Sequence, residues 1–174
     1  MATPTRCVVD TNVAVTANGG NPATSVDCAA SSAKALREVM ATGHVFIDDG
    51  GRMMTEYRAN LKLNGQRGPG HVFFVWLLTH EWGGIRVTRV PLTPKYDDQY
   101  DFEELPKPPD GVRYDPSDRK WLAVAAAHDE HPPILQSFDS KWWGWREALG
   151  NAGISIYFLC AEEIERKHRE KTER

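Results

Sequence analysis

The stretch Arg6-Cys7-Val8-Val9-Asp10-Thr11-Asn12-Val13-Ala14-Val15 decides which fold this chain can adopt. Its apolar start has the length and β-branched content of a short buried strand, and that strand stops on a carboxylate and a hydroxyl. In an open parallel α/β sheet, ligands bind outside the carboxyl ends of the strands. Asp10 therefore stands where a cation would sit, and Thr11 and Asn12 would line the same crevice. Asp and Asn are also favoured at helix starts and turns, so capping of the following segment is the alternative role for Asp10.

Outward from this stretch the pattern alternates. Asn21-Pro22 offers an N-cap and a first helical residue, Val26, Ala29, Ala33, Leu36 and Met40 recur at helical spacing, and Gly43 is the expected stop. Residues 44–48 read as a second buried strand, and strand, helix, strand in this order predicts a parallel crossover. Residues 52–63 form a second predicted helix, with Met54, Tyr57 and Leu61 on one face and Glu56 beside it. The segment 65–70 breaks the chain, 72–82 is apolar enough for a buried helix, and 85–90 is extended. Residues 119–126 continue a helix opened by Asp115-Pro116-Ser117-Asp118, where both aspartates also suit capping and the helix dipole. Residues 133–138 are a third strand that ends on Asp139. A helix over 140–149 packs through Trp142, Trp145 and Leu149, Ile154, Ile156 and Phe158 alternate as a last strand, and 161–174 predicts a solvated, fraying helix. The expected architecture is α/β, a three-layer α/β/α sandwich around a mainly parallel sheet, in one domain spanning 1–174.

Composition narrows the class. With 174 residues, 41% hydrophobic and 26% charged, the chain has the make-up of an ordinary globular domain. It has no membrane-length apolar run and no secretory leader, which predicts a cytoplasmic protein without a membrane partner. Cys7, Cys28 and Cys160 are odd in number and far apart, which predicts reduced packing residues and no zinc site. Residues 91–118 carry 3 basic and 8 acidic side chains, and five prolines lie between 94 and 116. Together these read as an acidic, Pro-rich insertion at about 92–114, either a flap that repels phosphate or a segment pinned by its aromatics.

Asp10, Glu56, Asp118 and Asp139 come from four separate elements, and clustered carboxylates repel unless a cation holds them. Oxygen ligation suits Mg²⁺ or Mn²⁺, which position and ionise a water and offset charge on a phosphodiester. Asp115 and Ser137 would support the site beside Thr11 and Asn12. Arg52, Arg58, Lys62 and Arg67, on and after the Glu56 helix, are the candidate contacts to a nucleic-acid backbone.

The sequence resembles the PIN-domain ribonucleases. The likeness lies in Val8-Val9-Asp10-Thr11-Asn12-Val13, in Thr55-Glu56-Tyr57, in Asp118-Arg119-Lys120-Trp121-Leu122-Ala123-Val124-Ala125, and in Ile134-Leu135-Gln136-Ser137-Phe138-Asp139. It covers residues 6 to about 160. The resemblance implies metal-dependent hydrolysis of single-stranded or structured RNA through the four acids, and it brings a possible antitoxin or other regulatory protein and a possible homodimer. Where that family often has another acid just after the last aspartate, this chain has Ser140-Lys141. A catalytically idle PIN-like module that binds RNA or protein is the rival, opposed by the presence of all four acids. A haloacid-dehalogenase-like phosphatase would need a second aspartate where Asn12 stands.

Overall fold

A computed structural model describes residues 2–61 and 67–174. Five strands, β1 (Arg6–Val9), β2 (His44–Asp48), β3 (Val87–Val90), β4 (Ile134–Gln136) and β5 (Ile156–Phe158), form one sheet in the order β3-β2-β1-β4-β5. Every pairing is parallel, with Cys7 opposite Val45 and Val9 opposite Leu135. Parallel sheets need cover on both faces, which is why β1, β2 and β4 read as nearly unbroken apolar runs. Seven helices supply that cover in a three-layer α/β/α arrangement: α1 (Thr11–Ala17), α2 (Val26–Thr42), α3 (Arg52–Asn60), α4 (Pro69–His80), α5 (Arg119–Ala127), α6 (Ser140–Asn151) and α7 (Ala161–Thr172).

The chain leaves β1 toward β2 on one side and later enters β4 on the other, so the strand order reverses between β1 and β4. Such a switch point opens a crevice at the carboxyl ends of the two strands. Asp10 follows β1 and Asp139 closes the turn after β4.

Several local expectations need correction. Residues 11–17, which carry no strand or helix signal strong enough to separate them from the first strand, form α1 because Asp10 caps it, accepting the Asn12 N–H at 2.9 Å. Ser25, and not Asn21, caps α2; Asn21 is spent on a turn, accepting the Ala23 N–H at 3.0 Å. The buried face of α2 is Cys28, Ser32, Ala35, Leu36 and Val39, while Val26 is exposed. Gly70, expected in a chain break, lies inside α4, and a Cβ there would meet the Ala14 carbonyl oxygen at 2.0 Å. Glycine is what lets α4 touch α1.

The C-terminal helix is docked and not loose. Ile164 is fully buried, and Lys171 Nζ donates to Ser140 Oγ at 2.9 Å across the α6–α7 contact. Its first turn is also tied to α2: Ser25 Oγ donates to Glu163 Oε2 at 2.6 Å, and Cys28 and Cys160 form a disulfide with Cα atoms 5.3 Å apart. The expectation of three reduced cysteines is thus corrected; Cys7 alone is free, and it is buried. The sequence separation of 132 leaves no spacing signal, because the sheet order is what brings α2 beside the start of α7.

The acidic insertion is likewise part of the core. Phe102 is 1% exposed and Tyr114 5%, and an isolated antiparallel bridge joins Pro94 to Phe102. Two of its acids are paired in place, Asp101 by Lys95 at 2.8 Å and Asp98 by Arg119 at 2.7 Å. Aromatic anchoring, and not a free flap, is the outcome. Among the described residues, no helix is long and apolar enough to cross a membrane.

The disulfide is directly testable. Thiol titration of the unfolded, unreduced protein should count one thiol, and three after reduction; three without reductant would contradict the pairing. Closing so long a loop should contribute about 2–4 kcal/mol, so Cys160→Ser should lower urea stability by that order.

Candidate functional site

Asp10, Glu56, Asp118 and Asp139 line one cavity of about 260 Å³ at the β1–β4 switch point, together with Thr11, Asn60 and Lys141. Four elements deliver the four acids. Asp10 is set by β1, whose carbonyl at Val9 accepts a hydrogen bond from the buried Tyr57 hydroxyl on α3. That bond fixes α3 against the strand end and brings the neighbouring Glu56 to the same cavity. Asp118 precedes α5 and Asp139 precedes α6.

A buried glutamine ties the strand ends together. Gln136, the last residue of β4, donates from Nε2 to Asp10 Oδ2 at 2.8 Å and accepts from Asn12 Nδ2. Asn12 Oδ1 accepts the Ser137 N–H at 3.0 Å. Asn12 is therefore a brace between β1 and β4, and not a free ligand. The Ser137 hydroxyl, expected at the site, is turned to Ser32 Oγ at 2.7 Å on α2. Its backbone serves the site while its side chain packs. Gln136 carried no motif signal; a buried amide at the end of an otherwise apolar strand is the one hint the sequence holds.

Capping does not account for the α5 acids. Asp118 makes no side-chain cap bond to α5, and Asp115 spends its carboxylate on Lys141 Nζ at 2.7 Å. Asp48 gives the contrast: it also ends a strand, yet its two oxygens accept the Arg52 and Met53 N–H groups at 2.8 Å each. Asp48 is a helix cap. Asp10 and Asp139 cap as well, but Asp10 and Asp139 also line the cavity.

Two lysines that sequence reasoning passed over provide the counter-charge. Lys141 Nζ lies 2.7 Å from Asp115 Oδ2, 2.7 Å from Asp118 Oδ2 and 3.4 Å from Asp139 Oδ2. Burial disfavours its ammonium, but the contacts to Asp115 and Asp118 and the charge of Asp139 outweigh burial and hold its pKa above the ordinary lysine range. Lys120 pairs with Glu56. Among the described residues, no three His, Cys, Asp or Glu side chains are already turned onto a common point as metal ligands. The carboxylates are turned onto ammonium groups instead.

Electrostatic tension remains at Asp10. Burial pushes its carboxyl up to about 7, against the Asn12 N–H bond and with help from the charges of Glu56, Asp118 and Asp139. Burial likewise raises Asp118, Lys141 opposes that rise, and Asp139 and Asp115 add to it. Two oxygen atoms at the site stay without a hydrogen bond though buried, Thr11 Oγ1 and Asp118 Oδ2; the second has only its ion-pair contact to Lys141, in a geometry that is not a hydrogen bond. Hard oxygen donors, excess negative charge and a vacant buried hydroxyl oxygen are what a divalent cation such as Mg²⁺ or Mn²⁺ takes.

Three of the four expected basic contacts, Arg52, Arg58 and Arg67, lie among the described residues. Arg52 does not line the acid cavity but the one beside it, 5.1 Å from the Phe102 ring centroid and 3.7 Å from Asp48. Arg58 and Arg67 are exposed and line neither cavity, and Lys62 lies outside the described residues. No protein-family model, curated protein or solved structure matches the chain.

A pH dependence of stability follows from Asp10. Its folded pKa lies above the unfolded value, so the folded state holds the extra proton between about pH 4 and 7, and stability falls as pH rises through that window. Asp10→Asn keeps the cap oxygen but sets its Nδ2 against Gln136 Nε2, a loss that is the same at every pH, so in metal-free buffer its melting temperature relative to the parent should rise by several degrees from pH 4 to pH 8. A difference independent of pH would show that the charge is not the cause.

Proposed function

We propose that this chain is a divalent-metal-dependent ribonuclease of the PIN-domain type, hydrolysing RNA phosphodiester bonds at the β1–β4 crevice. One observation supports it above the others: four carboxylates from four elements share a small cavity, and the charges of the other three add to what burial does in lifting Asp10 to about 7. A fold gains nothing by gathering like charges unless a cation or a reaction uses them.

The residues fit a cation that is hard and doubly charged. Asp10, Glu56, Asp118 and Asp139 would hold it, with the Thr11 hydroxyl as a further oxygen. Bound there, Mg²⁺ or Mn²⁺ would ionise a water and offset the charge that builds on the phosphate. Gln136 and Asn12 keep Asp10 oriented for that role. Lys141 already offsets one of the three charges on the Asp115, Asp118 and Asp139 side, which favours one ion over two and makes its ammonium the competitor that the ion must displace. The Cys28–Cys160 disulfide bears on where the reaction takes place: disulfides persist chiefly in oxidising compartments, and in a reducing cytoplasm the pair would open.

The test is cleavage of a single-stranded RNA oligonucleotide by EDTA-treated protein, with Mg²⁺ or Mn²⁺ restored. Asp139→Asn and Glu56→Gln should each lower kcat/KM by roughly 100-fold. Mn²⁺ should raise the melting temperature of the parent protein and much less that of Asp139→Asn, because a ligand of the folded state stabilises it. In calorimetric titration Lys141→Met should bind Mn²⁺ more tightly than the parent. Full activity in the carboxylate variants, or RNA bound and left uncut by the parent, would remove the proposal.

A further inference from the structure

Beside the acid cavity lies a second one of about 470 Å³, within the approximate 300–1,000 Å³ range of small-molecule sites. The two share Glu56 and Ser117, so they adjoin. One wall is a single face of α3, Arg52, Thr55, Glu56 and Ala59, at the i, i+3, i+4, i+7 spacing that keeps side chains on one side of a helix. The opposite wall is the insertion, through Gln99, Tyr100 and Phe102.

That wall is built in place. Asp98 accepts the Tyr100 N–H at 2.9 Å and is gripped by Arg119 of α5 at 2.7 Å, and two residues beyond Tyr100 the Phe102 side chain is sunk in the core. Tyr100 is therefore held between two anchors while it stays 54% exposed at the cavity. The lining is mainly apolar; of its charged residues Lys120 is paired with Glu56 and Arg52 lies 3.7 Å from Asp48, so it lacks the excess negative charge of the acid cavity. The carboxylates of Asp98 and Asp101 are paired to Arg119 and Lys95 and do not oppose an anion there.

We infer that this cavity binds one unpaired nucleobase of the RNA strand, stacked on Tyr100, with Arg52 at the phosphate that leads into the acid cavity. The inference rests on the ribonuclease reading and adds its substrate class. Base stacking on an aromatic ring needs a base released from its own stack, which selects single-stranded RNA over duplex. Gln99 and Thr55 offer amide and hydroxyl groups to the edge of the base. The insertion thus becomes a substrate wall, the opposite of a repelling flap.

The four nucleoside 5′-monophosphates and ribose 5-phosphate, titrated in EDTA buffer by calorimetry or NMR, test this without the metal. At least one nucleotide should bind saturably, ribose 5-phosphate at least tenfold more weakly, and Tyr100→Ala should weaken nucleotide binding about tenfold. Tyr96→Ala, a fully exposed tyrosine of the same segment that does not line the cavity, should leave it unchanged. The same RNA sequence should bind more tightly as a single strand than as a duplex. Equal binding of ribose 5-phosphate, no nucleotide binding, or equal losses from Tyr96→Ala and Tyr100→Ala would overturn the assignment. If nucleotides bind as stated but no RNA is cut in Mg²⁺ or Mn²⁺, the pocket stands and the ribonuclease reading falls. If RNA is cut while Tyr100→Ala changes neither nucleotide binding nor KM, the pocket falls alone.

Discussion

Like charges crowded into one cavity oppose folding, and in this chain the pairing of β1 with β4 forces that crowding. The register places Val9 opposite Leu135, so the residues that follow, Asp10 on one strand and the turn to Asp139 on the other, emerge side by side. Tyr57 then holds α3, and with it Glu56, against the same strand end. The packing of the sheet outweighs the repulsion it creates. Much of the local design offsets that cost: Gln136 and Asn12 bond across the gap, and Lys141 and Lys120 put ammonium groups between the carboxylates.

Those ammonium groups change what the site means chemically. A cluster of acids with no internal counter-charge would depend on bound cations for its stability. Here the chain carries its own monovalent substitutes, so the protein can fold without a dication and keep the acids poised. Asp10 remains the exception, because its donors are neutral amides and its burial is complete enough to raise it to about 7. The result is a strongly negative crevice beside a mainly apolar one.

The insertion and the C-terminal helix share a lesson about charged segments. Both are rich in acidic and basic residues, and both look like solvent-facing additions when read by charge alone. Phe102 and Tyr114 anchor one, and Ile164 with the Cys28–Cys160 bridge anchors the other. A few apolar contacts outweigh many surface charges, since each exposed ion pair contributes little and a buried aromatic contributes several times more.

The chain's local chemistry alone determined that Val8-Val9, residues 44–48 and Ile134-Leu135 would be buried strands, because a run of β-branched and apolar side chains bounded by turn residues has few other stable states. It likewise determined that Asp10 and Asp139 stand just beyond strand ends, and that Glu56 shares a helix with the buried Tyr57. What it could not contain is proximity. Asp10 and Gln136 bond across 126 positions and Cys28 and Cys160 across 132, and nothing in local spacing encodes either pair. Lys141 stands two residues after Asp139 in the chain, but only the folded sheet sets Asp115 and Asp118 around it as well. Periodicity is a property of neighbouring residues, whereas a charge cavity is a property of which strands lie side by side, and only the assembled sheet decides that.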